Sequence, residues 1–279
     1  MQDSSTKSEY LNSKQTLISQ FSKFQTFQFG TLGFRIWDLF RISDLRFRIF
    51  SIIYSLFFIF SFTNSVFAKE ITILFTGETH AMLYPCNCLK EPDGGVARRA
   101  TLIKQLRQKN PDTLVLDSGG FFAGGLQDEY TQNVSLDMQR TLVNLKAMEL
   151  MKYDAVAIGD DEFNFGRDFL EENIRKTNLA FLSSNISEPG EKSELFRPYI
   201  IKEIAGTKIG IIAVSPLSAG QKGGGFKFIE PGITVKQAVS ELKKNKVNII
   251  VLLSHLGESQ DLNLIRDVDK NIYALDVPD

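Results

Sequence analysis

The chain is poor in residues that most often carry metal, redox or nucleophilic chemistry: its 279 residues include two histidines, two cysteines and one tryptophan. Two cysteines are too few for a disulfide framework, so the fold must rest on a hydrophobic core. Neither sign of charge is in excess, with Lys+Arg 32 against Asp+Glu 33. That balance gives no electrostatic pull toward nucleic acid or an anionic membrane, and neither is expected as a partner. Long apolar runs are also lacking. Phe50–Phe62 (FSIIYSLFFIFSF) falls short of the ~20 residues that span a bilayer.

That short apolar run has the layout of an export signal. Arg46 and Arg48 precede it, and Val66-Phe67-Ala68 ends on a small residue at the cleavage position. Cleavage after Ala68 is the first expectation, with an uncleaved N-terminal anchor as the alternative. Residues 1–49 form an extension that is long and Phe-rich for a signal's basic region. An unused upstream start or a cytoplasmic tail would account for it. Residues 50–68 are therefore read as signal or anchor and 69–279 as one exported domain, periplasmic or extracytoplasmic. In an oxidising compartment Cys86-Asn87-Cys88 reads as a local disulfide, with a redox or metal-handling pair as the alternative.

Beyond residue 69 short apolar strands alternate with amphipathic helices. Strands are predicted at 71–75, 113–116, 155–158, 180–182, 199–204, 208–214, 247–253 and 271–275. Helices are predicted at 95–109, 136–152, 166–177 and 235–244, with another starting at 262. The alternation predicts an α/β domain, in which ligands bind beyond the carboxyl ends of the strands. Polar clusters stand at those ends: Gly77-Glu78-Thr79-His80, Asp117-Ser118-Gly119-Gly120, Gly159-Asp160-Asp161-Glu162 and Ser254-His255-Leu256-Gly257. Both histidines of the chain belong to them. Imidazole and carboxylate together suit Zn, Mn or Fe, metals that activate water against phosphate esters. Gly223-Gly224-Gly225 reads as a flexible loop, and Phe121-Phe122 and Phe163-x-Phe165 as loop packing or a nucleobase stack.

Three stretches extend the pattern: Gly94-Gly95-Val-Ala-Arg98-Arg99-Ala-Thr-Leu-Ile-Lys-Gln-Leu, the run Lys146 to Gly159, and Ile204-Ala-Gly-Thr-Lys-Ile-Gly-Ile-Ile. In them the chain resembles the calcineurin-like metallophosphoesterases, in particular the periplasmic 5'-nucleotidase and UDP-sugar hydrolase branch, from Ile71 to about Val268. The resemblance implies a four-layer α-β-β-α sandwich of the metallo-dependent phosphatase type, here expected to be truncated at its C-terminal end. It also implies a divalent metal and hydrolysis of nucleotides or other small-molecule phosphate esters.

The implied ligands are Glu78, His80, Asp160 and His255. The family's first motif is Asp-x-His, where this chain has Glu78-Thr79-His80. Its second ends in a bridging aspartate, where this chain has Gly120. Its third is Gly-Asn-His-Glu, which puts Asp161 at the position of the transition-state histidine. The final Gly-His-x-His does not appear before Asp279. The resulting expectation is a degraded metal site, mononuclear at most, with a catalytically inactive binding protein as the alternative.

Overall fold

The computed structural model describes residues 54–55, 70–86, 94–125, 133–187, 195–269 and 271–275. The chain divides into two compact units, Met1–Phe67 and Ala68–Asp279. In the first, Tyr54 and Ser55 are helical and exposed. The remainder of the expected signal, like the extension before it, lies outside the described residues. Among the described residues no helix is long and apolar enough to cross a membrane.

The second unit runs β1 (Thr72–Thr76), α1 (Val96–Lys109), β2 (Thr113–Asp117), α2 (Val134–Leu150), β3 (Ala155–Ala157), α3 (Gly166–Arg175) and β4 (Phe181–Leu182). It continues through β5 (Ile186–Ser187), β6 (Tyr199–Ile204), β7 (Thr207–Val214), β8 (Lys227–Phe228), α4 (Pro231–Lys244), β9 (Ile249–Ser254), α5 (Glu258–Val268) and β10 (Ile272–Leu275). One four-stranded sheet has the order β1-β2-β3-β4 and is parallel throughout. The other has the order β10-β9-β7-β6, with β6 antiparallel to β7. Their hairpin turns on Ala205 (φ 53) and Gly206 (φ 78), both left-handed as a tight two-residue turn requires.

The strands' two-residue period sorts their side chains into three cores. Leu114 and Leu116 of β2 face Ile209, Ile211 and Ala213 of β7 and Val251 and Leu253 of β9, filling the space between the sheets. Val115 and Val156 point the other way, onto Ile103, Leu145, Met148, Leu170 and Ile174 of α1, α2 and α3. Ile212, Val214, Ile250 and Leu252 pack outward on Val235, Val239, Leu242 and Leu264 of α4 and α5. Helices, sheet, sheet, helices: the four expected layers are present.

Helix starts differ from the sequence reading by a few residues, for a local reason. The α2 helix opens at Val134 because the Asn133 side chain accepts from Leu136 N at 3.0 Å. The α4 helix opens at Pro231, not at Val235, because Glu230 accepts from Ile233 N and proline tolerates the first helical position. The antiparallel ribbon of β5 and β8 pairs two residues a side, too short to leave a periodic signal. Asn185, just before β5, is fully buried. It donates to Ser215 O at 2.8 Å and Ile229 O at 3.2 Å, and accepts from Ser215 N at 2.8 Å, tying the end of β7 to the ribbon.

Gly210 lets α4 lie close on β7. A β-carbon there would stand 2.7 Å from Leu242 Cδ1. Gly210→Val is expected to lower stability by about 1–3 kcal/mol through overpacking, read as a lower urea midpoint with unchanged slope.

Candidate metal centre

The carboxyl ends of β1, β2 and β3 and that of β9 deliver the polar clusters to one edge of the sandwich. Past Thr76 the chain keeps pairing with the β2 loop: Glu78 N donates to Gly119 O at 3.0 Å and His80 N to Gly120 O at 2.8 Å. Between these bonds the backbone is left-handed at Glu78 (φ 47) and His80 (φ 42), and again at Ala81 (φ 47). Such conformations cost about 1–3 kcal/mol each in non-glycine residues and persist where the surroundings over-determine them. Arg140 of α2 adds a further tie, donating to His80 O at 2.8 Å while paired with Asp137 at 2.8 Å.

His255, the residue after β9, reaches across into the first sheet's loops. Its ring lies between Gly119 and Gly159, where β-carbons would stand 2.8 Å and 2.7 Å from the imidazole nitrogens. Its Nδ1 donates to Ser118 O at 3.0 Å, which directs Nε2 at Glu78 Oε1 (2.9 Å) and Asp160 Oδ1 (3.2 Å). His80 is arranged alike. Nδ1 lies 3.0 Å from Asp161 Oδ2, and Nε2 lies 3.0 Å from Glu78 Oε2. Glu78, His80 and Asp161 form a compact group of potential ligands.

These contacts set the charges. Burial alone would raise the Glu78 pKa, but the bonds from His255 and His80 outweigh it and hold it at about 2. Burial disfavours the His80 imidazolium, yet Asp161 and Glu78 push its pKa up to about 10. For His255, burial is likewise overcome by Asp160 and Glu78, with Glu162 adding to them, and the pKa stands at about 11. Asp160 is held below the usual carboxylate range, chiefly by His255. Without a cation, protons on the two imidazoles offset the surrounding carboxylates.

This donor set fits a divalent cation. A ligating histidine commonly donates its second N–H to a carbonyl or carboxylate, which fixes the ring and leaves the other nitrogen to the metal. Ser118 O serves His255 in that way, and Asp161 serves His80. The structure brings together all four ligands expected from the resemblance. It places Asp161 behind His80, 8 % exposed, whereas Asp160 beside it is 40 % exposed and opens to solvent.

Three contributors lie outside the expected ligand set. Glu162 is fully buried and accepts backbone N–H groups from Gly159 (2.6 Å), Gly120 (3.3 Å), Phe121 (2.8 Å) and Phe122 (3.2 Å). It stitches the loops after β2 and β3 together, and burial raises its pKa to about 7 despite those bonds. Lys222 donates to Asn164 Oδ1 at 2.9 Å and lies 3.8 Å from Asp160 Oδ2 at the rim. Gly223, the residue after it, is close-packed: a β-carbon there would meet the Phe228 ring at 2.7 Å. The third, Asp117, is buried and accepts from Thr76 Oγ1 and from Gly119 N at 3.0 Å. Asp117 and Glu162 both belong to the strand-end clusters read in the sequence, whereas Lys222 does not.

The phenylalanines are core. Phe121, Phe122 and Phe163 are buried, with rings against Phe181, Phe165, Phe226 and Phe228. Cys86 is disulfide-bonded, and Cys88 lies outside the described residues.

A four-layer sandwich with imidazoles and carboxylates gathered at its strand ends is the architecture of a metallophosphoesterase domain. The relatives agree: they are 5'-nucleotidases and related calcineurin-like phosphoesterases, matched over their N-terminal domain. The 5'-nucleotidase of Vibrio cholerae is 30% identical over 201 residues, which cover 69% of this chain and 34% of that protein. The solved 5'-nucleotidase precursor of Thermus thermophilus superposes with a TM-score of 0.61 at 32% identity, over 70% of this chain and 39% of that one. The NAD nucleotidase of Haemophilus influenzae shares the fold, with a TM-score of 0.63 at 23% identity over 75% of this chain and 38% of that one. No protein-family model matches the chain. It spans about a third of the length of the curated relatives it matches.

Two buried carboxyl groups give tests away from the ligands or behind them. The folded pKa of Asp117, about 6, is raised above its ordinary 3.8 by burial. Its contribution to stability is therefore present below pH 4 and lost as pH rises through 6. Asp117→Asn should gain on the wild type by about 3 kcal/mol between pH 4 and pH 8, measured by urea unfolding at both. Glu162→Ala strands backbone N–H groups and should cost roughly 3 kcal/mol, seen as a lower midpoint in the same assay.

Proposed function

We propose that residues 70–275 form an exported, metal-dependent phosphoesterase domain of nucleotidase type, acting on nucleotides or other small phosphate esters. The observation that carries this reading is the convergence of both Nε2 atoms, His80 and His255, on the two oxygens of Glu78. Each imidazole is held from behind by an acceptor on Nδ1. Glu78, His80, Asp160 and His255 would hold the cation, for which Zn, Mn or Fe have the matching ligand preference. When bound, such an ion polarises water and neutralises phosphate charge.

The remaining groups define how well the site serves an ester. Lys222, half-exposed beside Asp160, supplies a positive charge at the rim for the ester's anionic oxygens. Asp161 is turned onto His80 Nδ1, so it orients that ring and presents no N–H to a leaving group. The leaving group then takes its proton from solvent, and turnover is slow. Similarity to the 5'-nucleotidases supports the substrate class.

A carboxyl group at 161 in place of an imidazole also favours a second reading, a domain that binds metal and phosphate ester without turning it over. A redox role for Cys86 and Cys88 finds support in the disulfide at Cys86 alone.

The test is hydrolysis of 4-nitrophenyl phosphate and of nucleoside monophosphates by the full chain with Mn(II) or Zn(II), alongside metal analysis. Turnover that falls by at least about 100-fold in His255→Ala is expected. Bound metal with no turnover in the wild type would leave the binding reading.

A further inference from the structure

We propose that Glu78 is the shared ligand joining the two halves of this site, and that it does so from the space Gly120 leaves open. The inference rests on the metal-dependent reading and deepens it.

Glu78 turns one oxygen to each histidine: Oε2 lies 3.0 Å from His80 Nε2 and Oε1 lies 2.9 Å from His255 Nε2. Among the described residues no other side chain has polar contacts with both rings. The whole carboxylate occupies the position that a β-carbon at residue 120 would claim, which would stand 2.7 Å from Oε1, 2.8 Å from Cδ and 2.9 Å from Oε2. Atoms do not approach so closely, so a side chain at 120 would displace the Glu78 carboxylate from this position.

The backbone makes this placement more than one choice of side-chain rotamer. Glu78 and Gly120 are held face to face by the bonds Glu78 N to Gly119 O and His80 N to Gly120 O. Both residues are left-handed, at φ 47 and φ 71. Glu162 grips Gly120 N from the other side at 3.3 Å. An aspartate at 78 would be one methylene short of the second imidazole. Length at 78 and the lack of a side chain at 120 therefore act as a unit. The missing acid at 120, expected to cost the site its bridge, is replaced from across the cleft. Glu78 stays partly open to solvent, so a cation can reach it.

The pairing is tested by Mn(II) binding to the full chain, followed by the EPR signal of free Mn(II) and by calorimetry. Glu78→Asp and Gly120→Ala should each weaken binding by at least about tenfold, the first by shortening the reach and the second by evicting the carboxylate. Thermal melts of the metal-free proteins show that each variant folds, and Glu78→Asp carries the test if the left-handed Gly120 position rejects alanine. The double variant Glu78→Asp/Gly120→Asp returns an acid to the same volume and should recover most of the lost affinity. Wild-type affinity in Glu78→Asp, or a double variant that folds by its thermal melt yet binds no better than Glu78→Asp alone, would overturn the pairing. Failure of the wild type to bind Mn(II) would overturn it together with the metal-dependent reading. Binding that follows the expected order without ester turnover would uphold the pairing and remove the hydrolytic reading alone.

Discussion

The site depends on the absence of a β-carbon at three neighbouring positions. Gly119 and Gly159 leave the slot through which the His255 ring passes from one sheet to the loops of the other, and Gly120 leaves the volume that the Glu78 carboxylate fills. Steric exclusion here is short-ranged and steep: a single added carbon would stand under 3 Å from an imidazole or carboxylate atom. Donors from different strands can meet only because the residues between them have no side chains. The polar contacts are built on that emptiness.

Electrostatics then keeps the cluster folded without a cation. Gathering Glu78, Asp160 and Asp161 at one sheet edge would be costly if the acids faced one another alone. Protonated His80 and His255 sit among them, and Lys222 closes the outer side. Glu162 solves a different problem, being buried with no basic partner in hydrogen-bond contact among the described residues. It draws on backbone N–H groups of two loops, so the same bonds that satisfy it also set the loop positions on which the ligands depend. A divalent ion entering such a pocket would compete with protons held by the imidazoles, which links affinity to pH through the residues that bind it.

The architecture was largely legible in the sequence because it rests on repeating patterns. Alternation in β2, β7 and β9 announced two faces for each strand, and the spacing of apolar residues in α1, α2 and α4 announced the covering helices. The meeting of the four strand-end clusters was legible from a rule of topology, since ligands in α/β folds gather at strand ends, and the resemblance then singled out Glu78, His80, Asp160 and His255. Less could be read where a residue's role depends on a distant partner. Asp161 looked like a failed catalytic position in the motif, whereas in space it is the acceptor on His80 Nδ1, 81 positions away in the chain. Lys222 sat in front of what read as a loose glycine run and carried no signal at all.

What the sequence determined by itself, apart from the four layers that the family resemblance implied, was the order of strands and helices and the strand ends at which the polar clusters stand. These follow from local hydrophobic periodicity and from chain connectivity. Whether the volume beside Gly120 stays empty or is filled by the Glu78 carboxylate was decided in the tertiary structure. The answer depends on two residues 42 positions apart being held face to face, at separations where one carbon atom excludes another.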